Sequence, residues 1–468
     1  MFIYVKVSAV DSVIEGYRDY VVGGPIVSTL IKLGLPLMLV QLANVSYNIA
    51  DAFWLSKYSD VAMAVPRQVW PLITFFNALV MALLTANMAF ISQYVGARMY
   101  GEASKVASKF LTASVLMSMA SGVALYALRQ PILTYVVRPP PEIFEDVMAY
   151  SGIITLDLII SGAVMAYSTI LQSIGDTRTP AVVNGISALT NIVLDPLIIL
   201  GLYGFPRLGA AGAAIATVIA RLIGLTALAY LFRRNFPELR VALTKDLSRD
   251  WIYGNLRVGT PVFVFHVSNS LAFMLQNSLV NSFGAVVATA FAIGFIVMDI
   301  ADAVVWGLTT PTAIMVGQNL GAGNISRSRE VAIKSALTVG GLSTAGAMSV
   351  YLLRHKLVAL FTSDPLIYVE ALNFLEVFVF TLPFFAVFFV GMSVGRGSGR
   401  TLVPTILGII RLWVIRIGLG YILAYLAGLG SYGIWVAMGL SNVVSGLGSL
   451  IWIKLGGWAK PLINDVLH

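Results

Sequence analysis

The chain has 468 residues, of which 58% are hydrophobic and 11% are charged, and its mean hydropathy is +0.87. A soluble domain carries about 25% charged residues, so this composition excludes a soluble protein and indicates a membrane protein. In a membrane protein, the net charge of +8 indicates basic cytoplasmic loops rather than nucleic-acid binding. With no cysteine and three histidines, disulfides and cysteine nucleophiles are excluded and a zinc site is not expected.

Apolar runs long enough to cross a bilayer recur along the whole chain. The first 22 residues are polar and acidic and show no removable signal peptide. The later runs predict transmembrane helices, since they are too long for barrel strands and lack period-two alternation. The predicted spans are residues 27–55, 61–94, 105–133, 145–174, 178–203, 210–233, 255–281, 286–318, 330–353, 366–396, 401–427 and 431–456.

The longest polar stretch, residues 233–251, divides these spans into two sets of six. The sequence therefore predicts an all-α integral membrane protein with twelve transmembrane helices in two pseudo-symmetric six-helix bundles. Most basic loop residues lie on the side of the termini, so both termini are expected in the cytoplasm. The expected parts are a cytoplasmic N-terminal segment (1–26), a first lobe (27–233), a cytoplasmic linker (234–254), a second lobe (255–456) and a cytoplasmic tail (457–468).

The two halves repeat each other at a nearly constant spacing. "GLP" at 34–36 and "GTP" at 259–261 lie 225 residues apart, as do "QYVGA" at 93–97 and "QNLGA" at 318–322. "GDTRTP" at 175–180 and "GRTLVP" at 399–404 continue the pattern at a spacing of 224. Because each copy has an even number of spans, both copies have the same membrane orientation, which is the parallel-repeat plan of some secondary transporters.

Two predicted spans of the first half carry polar stripes that end in a carboxylate. A charged side chain inside a bilayer costs about 2.5 kcal/mol or more, so these faces are expected to line a shared polar cavity rather than to face lipid. Thr217 in span six could add a hydroxyl to it. The stripes, each on one helical face, are Asn44, Tyr47, Asn48 and Asp51 in span one, and Asn184, Ser187, Asn191 and Asp195 in span five.

The two carboxylates predict a site for a proton or Na⁺. Two carboxylates in one pocket of low dielectric cannot both ionise freely unless a cation lies between them, and carboxylate, amide and hydroxyl oxygens suit a hard cation. At the repeat spacing, Asp51 corresponds to Gln276 and Asp195 to Leu419, so only the first half carries these acids. The alternative is that both acids merely bond neighbouring helices.

Prolines inside spans one and five are candidate hinges. Pro36 leaves the carbonyl of Lys32 without its helical partner, and Pro196 does the same for Ile192. A kink in the helix that carries Asp51 would link cation binding to helix shape. The alternative is a static kink, which membrane helices tolerate.

Other charges lie within predicted spans. Asp299 and Asp302 share a face of span eight, and Arg416 in span eleven is expected to pair with one of them. Arg221 in span six is expected to pair with Asp157 in span four. The alternative for the second-half acids is a second cation site.

Motifs of nucleotide-hydrolysing and prenyl-transferring enzymes are absent, so an enzyme is not expected. The motifs that are present resemble those of the multidrug and toxic compound extrusion (MATE) family, and the acids of the first half resemble its archaeal and DinF-like branch. The resemblance implies export of cationic, lipophilic or aromatic compounds driven by inward H⁺ or Na⁺, without a cofactor. The motifs are "QYVGA" (93–97), "LQSIGDTRTP" (171–180), "TNIVLDPLI" (190–198), "GAAGAAIAT" (209–217) and "VGQNLGAGN" (316–324).

The resemblance also implies roles for individual residues. Pro36 would be the bending point of the first helix, and Ser168 stands where many relatives have Asn, which would rewire hydrogen bonds in the cavity. The cation-linked residues would be Asp51, Asn191, Asp195 and Thr217. The substrate cavity would include Asn44, Tyr47, Asn48, Asn184 and Ser168.

The sequence therefore predicts a multi-pass antiporter of the plasma membrane that acts as a monomer on small-molecule substrates, with no nucleic acid and no tightly bound metal. The alternative is a flippase of lipid-linked oligosaccharides, which shares the two-lobe architecture. A flippase would need a strongly cationic cavity for diphosphate, whereas mid-span basic residues are few, chiefly Lys32, Arg221 and Arg416.

Overall fold

The structure is a computed structural model that describes residues 13–59 and 61–463, without the side chains of Asn48 and Val297. In this part of the chain, twelve helical segments are long and apolar enough to cross a membrane. The predicted number of spans and the all-helical membrane class are thus confirmed. The predicted roles of residues 1–12 and 464–468 lie outside the described residues.

The helices of the first half are long because their apolar runs contain few helix breakers. Two of them end at glycines in left-handed backbone, Gly175 (φ 112°) after the fifth helix and Gly201 (φ 74°) after the sixth, a conformation that favours glycine. The helices are α1 (Val13–Gly23), α2 (Ile26–Tyr58), α3 (Val65–Gly96), α4 (Tyr100–Pro131), α5 (Phe144–Ile174), α6 (Arg178–Leu200) and α7 (Gly209–Asn235).

The second half repeats this order of spans with two irregularities. Its tenth span is α11 and α12 joined by a 3₁₀ turn, and its eleventh begins as α13 and continues as π-helix over Ile410–Leu419 and Ile422–Leu426. The helices are α8 (Arg249–Asn281), α9 (Ala285–Gly321), α10 (Ile325–Ala359), α11 (Pro365–Phe378), α12 (Leu382–Ser398), α13 (Leu402–Ile409) and α14 (Gly430–Leu455).

The chain forms two compact units. Unit 1 comprises residues 1–20 and 39–259, and unit 2 comprises residues 21–38 and 260–468. The first helix of each half, α2 and α8, is therefore divided, near Pro36 and near Pro261. These prolines are equivalent in the repeat, since they lie 225 positions apart. The predicted lobes, 27–233 and 255–456, instead separate the two halves at the linker, and their bounds stay a prediction.

Helix α1 lies within the predicted N-terminal segment, where the sequence indicated only polarity. Arg18 donates from Nε and Nη2 to the Gly96 carbonyl at 3.2 and 3.0 Å, which satisfies a carbonyl at the end of α3. The Arg18 guanidinium beside Asp19 holds the pKa of that carboxyl below its usual range. These contacts fix α1 to unit 1.

The linker between the halves is shorter than predicted and is bonded to α4. Residues 236–248 connect α7 to α8. Thr112 Oγ1 accepts from the Thr244 backbone N–H at 2.9 Å, and Lys109 Nζ lies 3.1 Å from Asp246 Oδ2. The linker is therefore held along α4 within unit 1.

Small residues bring α6 and α7 together. A Cβ atom on Gly212 would lie 2.7 Å from the Ile198 carbonyl oxygen, and one on Gly224 would overlap the Ser187 hydroxyl. Because these contacts leave no space for larger residues, α6 and α7 pack with their backbones close. This packing sets the positions of Asn191 and Thr217 in the candidate site.

Candidate functional site

Four buried polar residues of unit 1 lie at the centre of the candidate site. Asp51 comes from α2, Asn191 and Asp195 from α6, and Thr217 from α7, and each is at most 9% exposed. The side chains of Asp51 and Asp195 are hydrogen-bonding neighbours. The structure thus brings together the two acids that the sequence placed on separate spans.

Thr217 joins the helices at this site. Its hydroxyl lies 2.9 Å from the Tyr47 hydroxyl of α2 and 3.0 Å from the Ala213 carbonyl, to which it donates. With that proton committed, Thr217 Oγ1 accepts from the Tyr47 hydroxyl. Tyr47 and Thr217 therefore fix α2 to α7 within one turn of Asp51.

The amide of Asn191 links Asp195 to Thr217. In one orientation its nitrogen donates to Thr217 Oγ1 at 3.4 Å. With the amide turned over, the nitrogen donates to Asp195 Oδ2 at 3.1 Å and the oxygen accepts from the Thr217 backbone N–H at 3.2 Å. The second orientation satisfies both amide atoms, so Asn191 supports the carboxylate that faces Asp51.

Each of the two acids keeps one oxygen without a partner. Oδ1 of Asp51 and Oδ1 of Asp195 are buried, and neither makes a hydrogen bond with any described residue. A buried acceptor without a partner costs about 1–3 kcal/mol, and more when it is charged. These two oxygens are therefore the natural places for a proton, or for a cation held by oxygen ligands.

A small cavity of about 60 Å³ adjoins the site. This volume is enough for water or a cation, and it is far below the roughly 300–1,000 Å³ of pockets for drug-sized ligands. In this conformation the cavity fits water or a cation. Its polar lining residues are Asn44, Tyr47, Asn184, Ser187, Asn191, Thr217 and Arg221.

One predicted cavity residue does not line this cavity. Ser168 is not among the residues that line this cavity, and its hydroxyl is buried without a partner in the described chain. The side chain of Asn48 lies outside the described residues. Helix α2 continues through Pro36 without interruption, so the hinge stays a prediction.

The positive charge at the cavity is neutralised. Arg221 donates from Nε to Asp157 Oδ1 at 2.7 Å and from Nη2 to Asp157 Oδ2 at 3.3 Å. The predicted pair between α7 and α5 is thus confirmed, with a bidentate geometry that adds strength and orientation. Consequently, Arg221 contributes no net positive charge to the cavity.

The sequence analysis missed Tyr150. This residue of α5 is buried and interacts electrostatically with Asp51, Asp157 and Asp195. A single tyrosine in an apolar run gives no periodic signal, so only the packing of α5 against the other helices reveals its position.

One predicted ion pair in unit 2 is wrong. In the described chain, Arg416 makes no ion pair with Asp299 or Asp302 and instead donates to Gln276 Oε1 at 3.4 Å and to Ser441 Oγ at 3.3 Å. Asp299 is exposed, and Oδ1 of Asp302 is buried without a partner. Helical spacing gave the shared face of the two acids but not the direction of the Arg416 side chain.

The candidate site offers oxygens and no soft metal ligand. The described residues contain no group of three or more His, Cys, Asp or Glu side chains that could hold a metal ion. The donors near Asp51 and Asp195 are carboxylate, hydroxyl and amide oxygens, which suit a proton or a hard, weakly held cation rather than zinc.

Twelve membrane-spanning helices in two repeated halves, with buried polar residues inside one half, define a polytopic membrane transporter. The sequence profile of the MatE family matches residues 36–197 and 261–422, with the second match beginning 225 residues after the first (261 minus 36). The chain therefore belongs to the MatE family, whose members are transporters and not enzymes. The two matches also confirm the repeat and its spacing.

Relatives and solved structures agree over almost the whole chain. It is 29% identical to the probable multidrug resistance protein NorM of Thermotoga maritima over 93% of both chains. It is 26% identical to the uncharacterized transporter YisQ of Bacillus subtilis, over 87% of this chain and 91% of the relative. The crystal structure of the Vibrio cholerae MATE transporter VcmN in the bent form superimposes with a TM-score of 0.85 at 20% identity, covering 97% of this chain and 99% of the other. This last likeness confirms the MATE fold.

Proposed function

We propose that the chain is a multidrug efflux antiporter that exports cationic, lipophilic or aromatic compounds in exchange for H⁺ or Na⁺. The observation that carries the proposal is the contact between the Asp51 and Asp195 carboxyls, each with one partnerless oxygen. Two carboxylates in contact need a proton or a cation between them. The relatives named as probable multidrug resistance proteins support the substrate class.

In the proposed site, Asp51 and Asp195 bind the coupling ion, and Asn191 and Thr217 orient the carboxylates. When the ion is absent, the two negative charges attract a cationic substrate to the cavity residues, among them Tyr47. The ion and the substrate then compete for the same charge. Competition of this kind couples two ligands if they favour different states of the transporter.

We propose that α2 changes shape at Pro36 between these states. The 60 Å³ cavity suits an ion but not a drug, so substrate binding requires the helix that carries Asp51 and Tyr47 to move. The division of α2 between the units at Met38 lies close to Pro36, which supports a hinge there. The VcmN relative is described in a bent form.

We further propose that the protein acts as a monomer in the plasma membrane with both termini cytoplasmic, and that it belongs to the archaeal and DinF-like branch. The cavity of unit 1 disfavours a lipid-linked flippase, because Arg221, the basic residue that lines it, is neutralised by Asp157. The two acids instead make this cavity suitable for positive charge.

The test is ethidium efflux from proteoliposomes under a pH gradient alone and an Na⁺ gradient alone. We expect Asp51→Asn and Asp195→Asn each to reduce gradient-driven efflux at least about tenfold, because each variant leaves a single carboxylate that no longer needs a shared ion. The gradient that drives the wild type identifies the coupling ion. Asp250→Asn, at an exposed acid in the first turn of α8, is the control and should transport normally. Normal transport by both Asp51→Asn and Asp195→Asn would refute the proposed site.

A further inference from the structure

Unit 2 carries arginines where unit 1 carries its acidic site. At the repeat spacing of 225, Asp51 corresponds to Gln276, and at 224, Thr217 corresponds to Ser441. In the structure, Arg416 contacts both Gln276 and Ser441. The same position in the fold thus holds the opposite charge.

A change of helix type brings a second arginine to this position. Arg411 and Arg416 are five residues apart on the π-helical segment Ile410–Leu419. Five residues make about one turn of hydrogen bonding in a π-helix, so both side chains lie on one side of it. Nε of Arg411 and Nη2 of Arg416 both point at Asn442 Oδ1, at 3.2 and 3.5 Å. Two guanidinium groups therefore converge on one neutral oxygen.

The charge of this pair is not balanced by its contacts. Arg411 is 5% exposed and Arg416 is 3% exposed. Arg416 contacts amides and a hydroxyl, while Arg411 contacts Asn442 and lies over the rings of Phe385 and Phe388. Neither arginine makes an ion pair with any described residue. Arg221 in unit 1, by contrast, forms a bidentate ion pair with the Asp157 carboxylate.

One acid of unit 2 acts on the pair from a distance. Asp302 interacts electrostatically with both arginines, but its Oδ1 makes no hydrogen bond. Asp299, which also acts on Asp302, is exposed, so within the buried cluster two positive charges face one negative charge. A buried charge requires a counter-charge or a strong set of hydrogen bonds, so the pair lacks one compact monovalent anion.

We propose that Arg411 and Arg416 bind the carboxylate group of zwitterionic substrates. This proposal rests on the proposed efflux function and adds a substrate class to it. A carboxylate fits because it carries one negative charge and its two oxygens match the planar fork of a guanidinium. Asn442 Oδ1 marks the place of one carboxylate oxygen. Since both arginines are almost fully buried, binding requires the Asn442 side chain, which donates to Thr381 Oγ1 at 3.0 Å, to leave this position.

The test compares norfloxacin, which has a carboxylate and an ammonium group, with its methyl ester, which keeps only the ammonium group. For the purified wild-type protein, we expect titration calorimetry to give norfloxacin a dissociation constant at least about tenfold lower than that of the ester, because the carboxylate forms charge-assisted hydrogen bonds with the arginines. This measurement needs no variant. Equal binding of the two compounds, or no binding of either, would overturn the proposal.

Variants of the two arginines then test whether they are the residues that bind the norfloxacin carboxylate. Arg411→Gln and Arg416→Gln should each remove most of the preference for norfloxacin while leaving binding of the ester within about twofold. The control is Arg129→Gln in unit 1, whose arginine donates to the Tyr126 carbonyl and lies over the Tyr126 ring, and it should keep the full preference. If both unit 2 variants keep it too, the arginines are not the site.

The proposed function is tested separately. Transport of ethidium, which has no carboxylate, should be unchanged in Arg416→Gln and lost in Asp51→Asn. If the wild type exports neither drug but still prefers norfloxacin over its ester in an Arg416-dependent manner, the efflux proposal fails and the carboxylate site stands.

Discussion

The two units use one fold around opposite charges. In unit 1, the acids Asp51 and Asp195 meet beside an arginine that already has a carboxylate partner. In unit 2, the position that the repeat relates to Asp51 holds Gln276, which accepts from Arg416, and the nearby Asp302 makes no ion pair with a described residue. One unit therefore has an excess of negative charge and the other an excess of positive charge, both buried.

This difference shows that the repeated helices serve as a frame whose site residues can change sign. The glycines, prolines and loop motifs keep the spacing of 225 or 224 residues, while the charges do not. Helix packing depends on small residues and on the polarity pattern, whereas each site depends on a few side chains.

The largest expected effect comes from removing the charge balance of unit 1. Asp157→Asn would leave Arg221 without its carboxylate. We expect a loss of about 3 kcal/mol of stability, at the low end for a broken buried pair because 36% of the Arg221 side chain is exposed. Thermal unfolding in detergent measures this loss. Glu376→Gln breaks the more exposed pair with Arg354 and should cost less than about 1 kcal/mol; equal losses would mean that burial is not what matters.

The next effect tests the packing that positions the acidic site. Gly212→Ala places a methyl group against the Ile198 carbonyl, and such overpacking costs about 2 kcal/mol. The matched control is Gly185→Ala on α6, where a Cβ atom meets nothing within 4 Å. The control variant should unfold at the same temperature as the wild type or at a higher one, because alanine favours helix. A tolerated Gly212→Ala would show that α6 and α7 can separate without cost.

A substitution in unit 2 should give Arg416 a carboxylate partner, as Arg221 has in unit 1. Gln276→Glu puts a carboxylate beside Arg416 with almost no change in shape. We expect stability to rise by about 1.5 kcal/mol, the scale of a hydrogen bond between charged groups, and the preference for norfloxacin over its ester to disappear. Gln130→Glu, at an exposed position at the end of α4, should change neither quantity. A destabilised Gln276→Glu protein would contradict the charge excess inferred for unit 2.

The smallest expected effect concerns the hydroxyl that joins α2 to α7. Thr217→Val removes the partner of Tyr47 and keeps the side-chain shape, at a cost of about 1 kcal/mol. If that cost falls on the ion-bound state, half-maximal efflux requires about fivefold more of the coupling ion. Thr226→Val on the same helix removes a hydroxyl that bonds only its own helix and should leave the ion requirement unchanged.

Local patterns in the sequence predicted much of this molecule. The span count follows from hydropathy, since the bilayer requires long apolar helices. The repeat follows from motif spacing, and the Arg221–Asp157 pair from the need of a buried charge for a partner. The polar stripes indicated which faces of α2 and α6 carry the site, because helical periodicity fixes a face but not its partner.

Tertiary packing decided the rest. The contact of Asp51 with Asp195, the place of Tyr150 near both acids and the absence of a pair between Arg416 and Asp302 depend on how separate helices rotate against one another. The convergence of Arg411 and Arg416 depends on a π-helical segment that no sequence motif predicted. Hydropathy and motif spacing thus determined a twelve-span, duplicated membrane protein, and only the packed structure determined which charges meet, because the energy of a buried charge depends on distances of a few ångströms between side chains distant in sequence.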